Sequence, residues 1–245
     1  MLDVIIPVYN EGQNIVQVLD NFRTLVKTPL RVFICYDFDE DNTLTAIRSY
    51  PHATPFEIIF LKNKGKGVHG AIRTGIEASD TEALLVIPAD DTYNTLLIDQ
   101  MFEKFQNGCD IVAPSRFMKG GCMKGCPPIK ALFVTLSSYS LYFLAGLPVH
   151  DATNGFRLFS RRVIESIPIE SEEGFTFSIE LLVKCHRLGW RIEELPTLWF
   201  ERTKGRSRFR TFKWVPAYLR WYFYAFATTY LRHRSVRLKN AVLVS

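Results

Sequence analysis

Cysteine is scarce in this chain, five residues among 245, and their spacing makes no disulfide framework. The expected compartment is therefore reducing and cytoplasmic. Cys122 and Cys126 flank Met-Lys-Gly, but no second Cys/His pair at zinc-finger spacing accompanies them, so they read as loop thiols. The opening segment, MLDVIIPVYNE, lacks the basic and then apolar regions of a signal peptide. Internal repeats and low-complexity linkers are missing too, which excludes solenoid and disordered classes.

Long hydrophobic runs are nearly absent, and two stretches need testing as membrane spans. Residues 131–149 carry no formal charge, yet they contain Thr135, Ser137, Ser138, Ser140, Gly146 and Pro148, which favours a buried core helix. Residues 214–231 hold Arg220 near their middle, and the uncharged run from Trp221 to Leu231 is too short to span a bilayer. Ten of the 33 aromatic residues lie between Phe209 and Tyr230, with Tyr and Trp well represented. Such rings suit a helix lying in a membrane interface; packing on the same domain or on a second subunit is the alternative.

Acidic residues are missing from one end. Residues 1–115 hold 9 Lys+Arg and 16 Asp+Glu, a balance of −7, whereas residues 116–245 hold 21 and 9, a balance of +12. After Glu201 there is no acidic residue, while eleven basic ones follow, from Arg202 to Lys239. A net charge of +5 thus hides a basic half that calls for an anionic partner: nucleic acid, membrane surface or phosphate.

What is present begins with alternation. Compact apolar runs at Leu2–Val8, Arg31–Tyr36, Phe56–Leu61, Ala83–Ile87 and Asp110–Ala113 read as strands buried on both faces. Helical patterns lie between them, at Glu11–Val26, Thr43–Arg48, Gly67–Ala78 and Thr95–Gln106. The expectation is an α/β fold with a mostly parallel, doubly wound sheet. Beyond residue 113 come a Gly/Pro-rich loop over Arg116–Pro128, the apolar helix, a cluster at His150–Arg157, a helix over Phe177–Leu188 and a strand pair at Arg191–Leu195 and Thr197–Glu201. Residues 1–211 then form one domain, with a nucleotide-binding half over 1–113 and an acceptor-binding half over 114–211. Residues 212–245 form a basic, aromatic helical extension.

Ligands of such sheets bind beyond the carboxyl ends of the strands. There the chain places Pro7-Val-Tyr-Asn-Glu11, Tyr36-Asp37-Phe-Asp-Glu-Asp41 and Pro88-Ala-Asp90-Asp91-Thr92. Singly, each is as well explained by a helix cap or turn. Together they describe a rim for a base, a ribose and a metal-bridged diphosphate.

The ordered set of Pro7–Glu11, Lys64-Gly-Lys-Gly67, Gly70–Gly75, Ala89-Asp-Asp91, Ser115-Arg116, Asp151–Arg157, Glu173–Glu180, Glu194-Leu-Pro196 and Arg202–Ser207 resembles family 2 inverting nucleotide-sugar glycosyltransferases. The likeness spans about residues 2–210 and is greatest to the dolichol-phosphate mannose synthase and polyprenyl-phosphate branch. It implies a GT-A fold, a nucleotide-diphosphate sugar donor (GDP- or UDP-linked) and a Mg²⁺ or Mn²⁺ cofactor at Asp90 and Asp91. By the same resemblance Pro7, Tyr9, Glu11 and Asp37 hold the nucleoside and Lys66 approaches the donor. One departure counts: the family's Asp-x-Asp stands here as Pro88-Ala89-Asp90, with Asp91 added.

Leaving diphosphate needs cationic stabilisation, assigned to the metal with Arg116, Arg202 and Arg206. A hydroxyl acceptor would need a general base, for which Asp151 is the candidate; a lipid phosphate is already anionic and needs basic residues instead. The basic run beside the aromatic helix favours the lipid phosphate and a peripheral position on the cytoplasmic face of a membrane. Transfer to a glycan hydroxyl in cell-surface polysaccharide synthesis is the alternative, and a nucleic-acid binder is the rival from another class, disfavoured by the acidic first half.

Overall fold

The computed structural model describes residues 1–200, 211–231, 236, 238 and 239. Arg202 and Arg206, both expected at the site, lie outside the described residues. The first half alternates as expected: β1 (Leu2–Val8), α1 (Gly12–Leu25), β2 (Leu30–Tyr36), α2 (Asn42–Arg48), β3 (Glu57–Lys62), α3 (Gly67–Ala78), β4 (Ala83–Val86), α4 (Leu97–Gln106) and β5 (Ile111–Ser115). The second half contains β6 (Cys122–Lys124), α5 (Pro128–Phe143), β7 (Arg157–Ser160), α6 (Arg161–Ser166), α7 (Thr176–Arg187), β8 (Ile192–Pro196), β9 (Leu198–Phe200) and α8 (Thr211–Tyr230).

Among the described residues, seven strands form one sheet in the order β3-β2-β1-β4-β7-β5-β8, in which only β7 runs against its neighbours. Both faces are covered. Leu2, Val4, Ile6 and Val8 of β1 pack with Ile15, Val18, Leu19 and Phe22 of α1, while Ile5 faces the opposite layer with Ile72 of α3 and Leu181 of α7. That is why β1 is apolar at almost every position rather than at alternate ones. Helix α3 lies close against the sheet at Gly75, where an added Cβ would stand 2.5 Å from Ile5 Cγ2.

Three expectations are corrected. Two strands stand where a strand pair was expected, but they do not pair with each other: β8 joins β5 in the main sheet, whereas β9 pairs in parallel with β6. Only Thr197 separates the two strands, too few residues to reverse the chain, since the commonest tight hairpins need two. The cluster ending at Arg157 continues into strand β7, four residues too short to carry a visible period.

The uncharged helix α5 is not a buried core helix. Only Ser138 and Leu141 are fully covered along it, while Ile129, Leu132, Phe133, Leu136 and Phe143 are each more than half exposed. Helix α8 divides its surface differently. Trp221 and Ala225 are buried against α7, with the Lys184 ammonium 5.0 Å above the Trp221 ring, and Val215, Leu219, Phe223 and Tyr230 face outward. The helix expected as an extension is therefore also part of the core. The two helices touch: Ser140 Oγ lies 2.9 Å from the Tyr222 hydroxyl, and Tyr230 donates to the Leu144 carbonyl at 2.5 Å. No helix among the described residues is long and apolar enough to cross a membrane.

Candidate active site

Because β1 to β5 and β8 run the same way, their carboxyl ends share one edge, and the start of the reversed β7 falls on that edge too. Every candidate among the described residues stands there: Pro7 near the end of β1, where it still pairs with β2, Tyr9 and Glu11 after β1, Asp37 after β2, Lys66 after β3, Asp90 and Asp91 after β4, Arg116 after β5 and Asp151 before β7.

The β1 and β2 ends are stitched by backbone donors. Asn10, in the left-handed region at φ 55°, donates its N–H to both Asp41 oxygens at 3.0 Å, and Glu11 N–H donates to Thr43 Oγ1 at 2.9 Å. Asp41 also caps α2 through Thr43 N–H at 2.9 Å. It is a structural acid rather than a ligand group. Tyr9 is 44% exposed and meets Phe38 edge-on at 5.1 Å, leaving an aromatic corner open beside Asp37. Asp37 accepts from Asn63 Nδ2 at 2.5 Å, which ties it to the β3–α3 turn that carries Lys66.

Arg116 and Asp151 form a closed pair. Asp151 is fully buried and accepts from Arg116 Nε at 2.6 Å, Arg116 Nη2 at 2.9 Å and Arg116 N–H at 3.2 Å. Thr153 adds donors from its N–H at 3.2 Å and its hydroxyl at 3.1 Å. Burial alone would raise the carboxyl pKa, but the Arg116 guanidinium holds it below the ordinary value, and Asp151 in turn raises Arg116. Arg157, also fully buried, donates to the Asp151 carbonyl at 3.2 Å and the Ser178 carbonyl at 2.6 Å, and burial pulls its pKa down to about 10. Both oxygens of the Asp151 carboxylate therefore accept hydrogen bonds from Arg116 and Thr153. The pair holds Arg116 in one orientation, with its guanidinium 5.2 Å from the Phe117 ring.

The two neighbouring acids after β4 differ. Asp91 accepts from Asn94 N–H at 3.1 Å and from Asn94 Nδ2 at 2.8 and 2.9 Å, and burial pushes its pKa up to about 6. Asp90, on the same turn, is half-buried like Asp91. No group of three His, Cys, Asp or Glu among the described residues could cage a metal. The donor set nonetheless suits a hard cation that takes one carboxylate from the protein and its other oxygens from phosphates and water, the mode open to Mg²⁺ and Mn²⁺. Asp90 is the residue that would hold it; the expectation that Asp91 shares the role meets its engagement by Asn94.

Asn94, Thr153 and the buried position of Arg157 were not legible in the sequence. Asn94 reads as a turn residue in Asp-Asp-Thr-Tyr-Asn, and its second partner, Leu198, lies 104 residues away.

Residues 3–167 match the model of Glycosyl transferase family 2. The chain is 26% identical to the polyprenol monophosphomannose synthase of Mycolicibacterium smegmatis, over 84% of this chain and 79% of that protein. It is 29% identical to the dolichyl-phosphate hexose transferase of Haloferax volcanii, over 82% and 83%. With the dolichol-phosphate mannosyltransferase of Pyrococcus furiosus it shares 25% identity over 89% of this chain, but it spans only 62% of that relative. In fold it is similar to the glucosyl-3-phosphoglycerate synthase of Mycobacterium tuberculosis, solved with Mn²⁺, UDP and phosphoglyceric acid, at a TM-score of 0.65 and 16% identity over 94% and 78% of the two chains. With the family model covering about two thirds of its length, and with an acid-lined rim on a sheet of this topology, the chain belongs to glycosyltransferase family 2 and is a glycosyltransferase of GT-A fold.

Proposed function

We propose that this enzyme transfers a hexose, with inversion, from a nucleoside-diphosphate sugar to a polyprenyl-type lipid phosphate at a membrane surface. The observation that carries the reading is the position of Arg116 beside an exposed apolar face. Phe117, the next residue, lies 6.1 Å from Tyr139 of α5, and the Tyr139 hydroxyl donates to the Phe117 carbonyl at 3.3 Å. From there α5 offers Ile129, Leu132, Phe133, Leu136 and Phe143, and α8 offers Leu219 and Phe223. Between Asp110 and Asp151 the sequence holds no acid and four bases: Arg116, Lys119, Lys124 and Lys130. A cation at the foot of an apolar, acid-free face suits a molecule with an anionic head and a hydrocarbon tail. The names of the relatives from M. smegmatis, H. volcanii and P. furiosus support the same acceptor class.

The chain's own groups divide the work. Tyr9 and Phe38 flank the base, Asp37 and Glu11 take sugar hydroxyls, and Lys66 approaches the donor. A phosphate oxygen of the acceptor attacks the anomeric carbon; the bond to the diphosphate breaks, and its electron pair leaves with the nucleoside diphosphate. Arg116, held by Asp151, steers the anionic acceptor and neutralises charge that develops on the leaving group. A divalent cation at Asp90 supplies Lewis-acid neutralisation of that diphosphate when bound. No general base is required, since the acceptor is already ionised. Arg202 and Arg206 belong to the same cationic set by sequence.

The test is incorporation of label from GDP- and UDP-hexoses into organic-extractable product with Mn²⁺ and a prenyl phosphate. A mild-acid-labile product supports the reading, whereas transfer only to an oligosaccharide hydroxyl refutes it.

A further inference from the structure

Beyond the pair of acids, the turn after β4 carries a clamp that neither composition nor spacing discloses. Asn94 is 4% exposed and spends its whole amide on two partners, one on its own turn and one 104 residues away. Its Nδ2 donates to Asp91 Oδ1 and Oδ2 at 2.8 and 2.9 Å and to the Leu198 carbonyl at 2.8 Å, while its Oδ1 accepts the Leu198 N–H at 2.9 Å. Leu198 opens β9, so the side chain acts as a short strand rung between the acid turn and the ribbon β6–β9. That ribbon is anchored at its other side to the Arg116 end of β5: Thr197 N–H donates to the Ser115 carbonyl, and Cys122 N–H to the Thr197 carbonyl, both at 3.0 Å. A neighbouring contact repeats the link, with the Tyr93 ring 4.7 Å from that of Phe200.

Two consequences follow from this geometry. The Asp91 carboxylate is taken up by Asn94 and is thereby turned into the partner that orients the clamp. The turn bearing Asp90 is fixed relative to Ser115 and Arg116 through three polar links, Asp91 to Asn94, Asn94 to Leu198 and, one residue back along the chain, Thr197 to Ser115.

We infer that Asn94 is a positioning residue that sets the Asp90 turn at a fixed distance from Arg116, and that Asp91 is its orienting partner and not a metal ligand. The inference rests on the reading that Asp90 serves a divalent cation and a nucleoside diphosphate. A hydrogen-bonded partner that orients a metal site is typically worth about 10–100-fold in metal affinity or activity when removed. The same order is expected here for Asn94, although it touches neither metal nor substrate.

The experiment titrates Mn²⁺ into the full-length enzyme with a fixed nucleoside diphosphate, UDP or GDP, and follows nucleotide binding by calorimetry, with turnover measured separately. Asn94→Leu should raise the Mn²⁺ midpoint roughly tenfold or more and lower kcat, despite the retained Asp91. Asp91→Asn, which keeps an oxygen for the Asn94 N–H, should hold the midpoint within about threefold of wild type, whereas Asp90→Asn should abolish Mn²⁺ dependence. Hydrogen exchange at the Leu198 amide should speed up in Asn94→Leu alone, which verifies that the clamp has opened in a folded chain. The inference is overturned if Asp91→Asn loses Mn²⁺ as Asp90→Asn does, or if Asn94→Leu exchanges faster at Leu198 yet binds Mn²⁺ and nucleotide normally. Wild-type enzyme that binds nucleotide without Mn²⁺ dependence refutes the metal reading alone; an unchanged nucleotide affinity in Asn94→Leu would then overturn the inference as well. A wild-type chain that binds neither nucleotide refutes both.

Discussion

Replacing Asp151 by Asn removes one charge from the centre of the molecule while keeping the shape of the side chain. In the folded enzyme that carboxylate receives Nε and Nη2 of Arg116 at 2.6 and 2.9 Å, and the buried Arg157 donates to the main-chain carbonyl of the same residue at 3.2 Å. The variant leaves two cations without a counter-charge, one of them the fully buried Arg157. Breaking a buried pair by removing one partner costs about 3–5 kcal/mol. At roughly 2–4 °C per kcal/mol for a chain of this size, the melting temperature should fall by roughly 6–20 °C. Differential scanning calorimetry and urea titration check the shift, and donor turnover should drop in the same variant because Arg116 is no longer held. Arg116→Met combined with Asp151→Asn should be less destabilised than the sum of the single changes, as expected for groups in direct contact. The opposite pattern would refute the reasoning: a melting temperature within about 1 °C of wild type with transfer abolished. Asp151 would then be acting on the acceptor as a base, and the hydroxyl acceptor would return.

Three further outcomes follow from particular contacts. Changing Leu132, Phe133 and Leu136 together to Ser should leave the melting temperature unchanged but lower partition onto anionic phospholipid vesicles at least tenfold, since each apolar side chain withdrawn from water is worth about 1.5–3 kcal/mol; sedimentation with vesicles in low and high salt checks both parts. Trp221→Ala should cost about 3–5 kcal/mol by leaving a cavity against α7 and removing the ring under Lys184, so an unchanged urea midpoint would contradict the docking of α8. Glu193 has its pKa lowered to about 2, chiefly by its hydrogen bond from Lys104 at 2.5 Å and also by Arg191. The folded form therefore binds fewer protons than the unfolded form between about pH 4.3 and pH 2, and the stability it adds, complete above that window, is lost as pH falls through it. Glu193→Gln should flatten this part of a melting-temperature profile against pH.

The alternation of β1 to β5 with α1 to α4 was legible because each strand is an apolar run bounded by turn residues and each helix has one apolar face. The rim was legible for the same reason: strand ends are marked in sequence, so Asp37, Asp90 and Arg116 could be placed on one edge without coordinates. Burial of a charged group carries no such mark. Asp151 looks like a free carboxylate beside Asn154-Gly155, and only the fold shows Arg116 arriving from 35 positions away to enclose it. The run 131–149 failed for a related reason, since uncharged sequence does not say whether its partner is protein or lipid. Helix α5 proved to have little protein over it, and the aromatic helix α8, read as an interface element, also supplies Trp221 to the core.

The most direct test of the central claim is the acceptor. Purified enzyme with Mn²⁺ and labelled GDP- or UDP-hexose should transfer label to a short-chain polyprenyl phosphate, giving a glycosyl phosphodiester of inverted anomeric configuration that mild acid cleaves. Label that stays in the aqueous phase on a glycan hydroxyl, with no transfer to the lipid phosphate, would contradict the account.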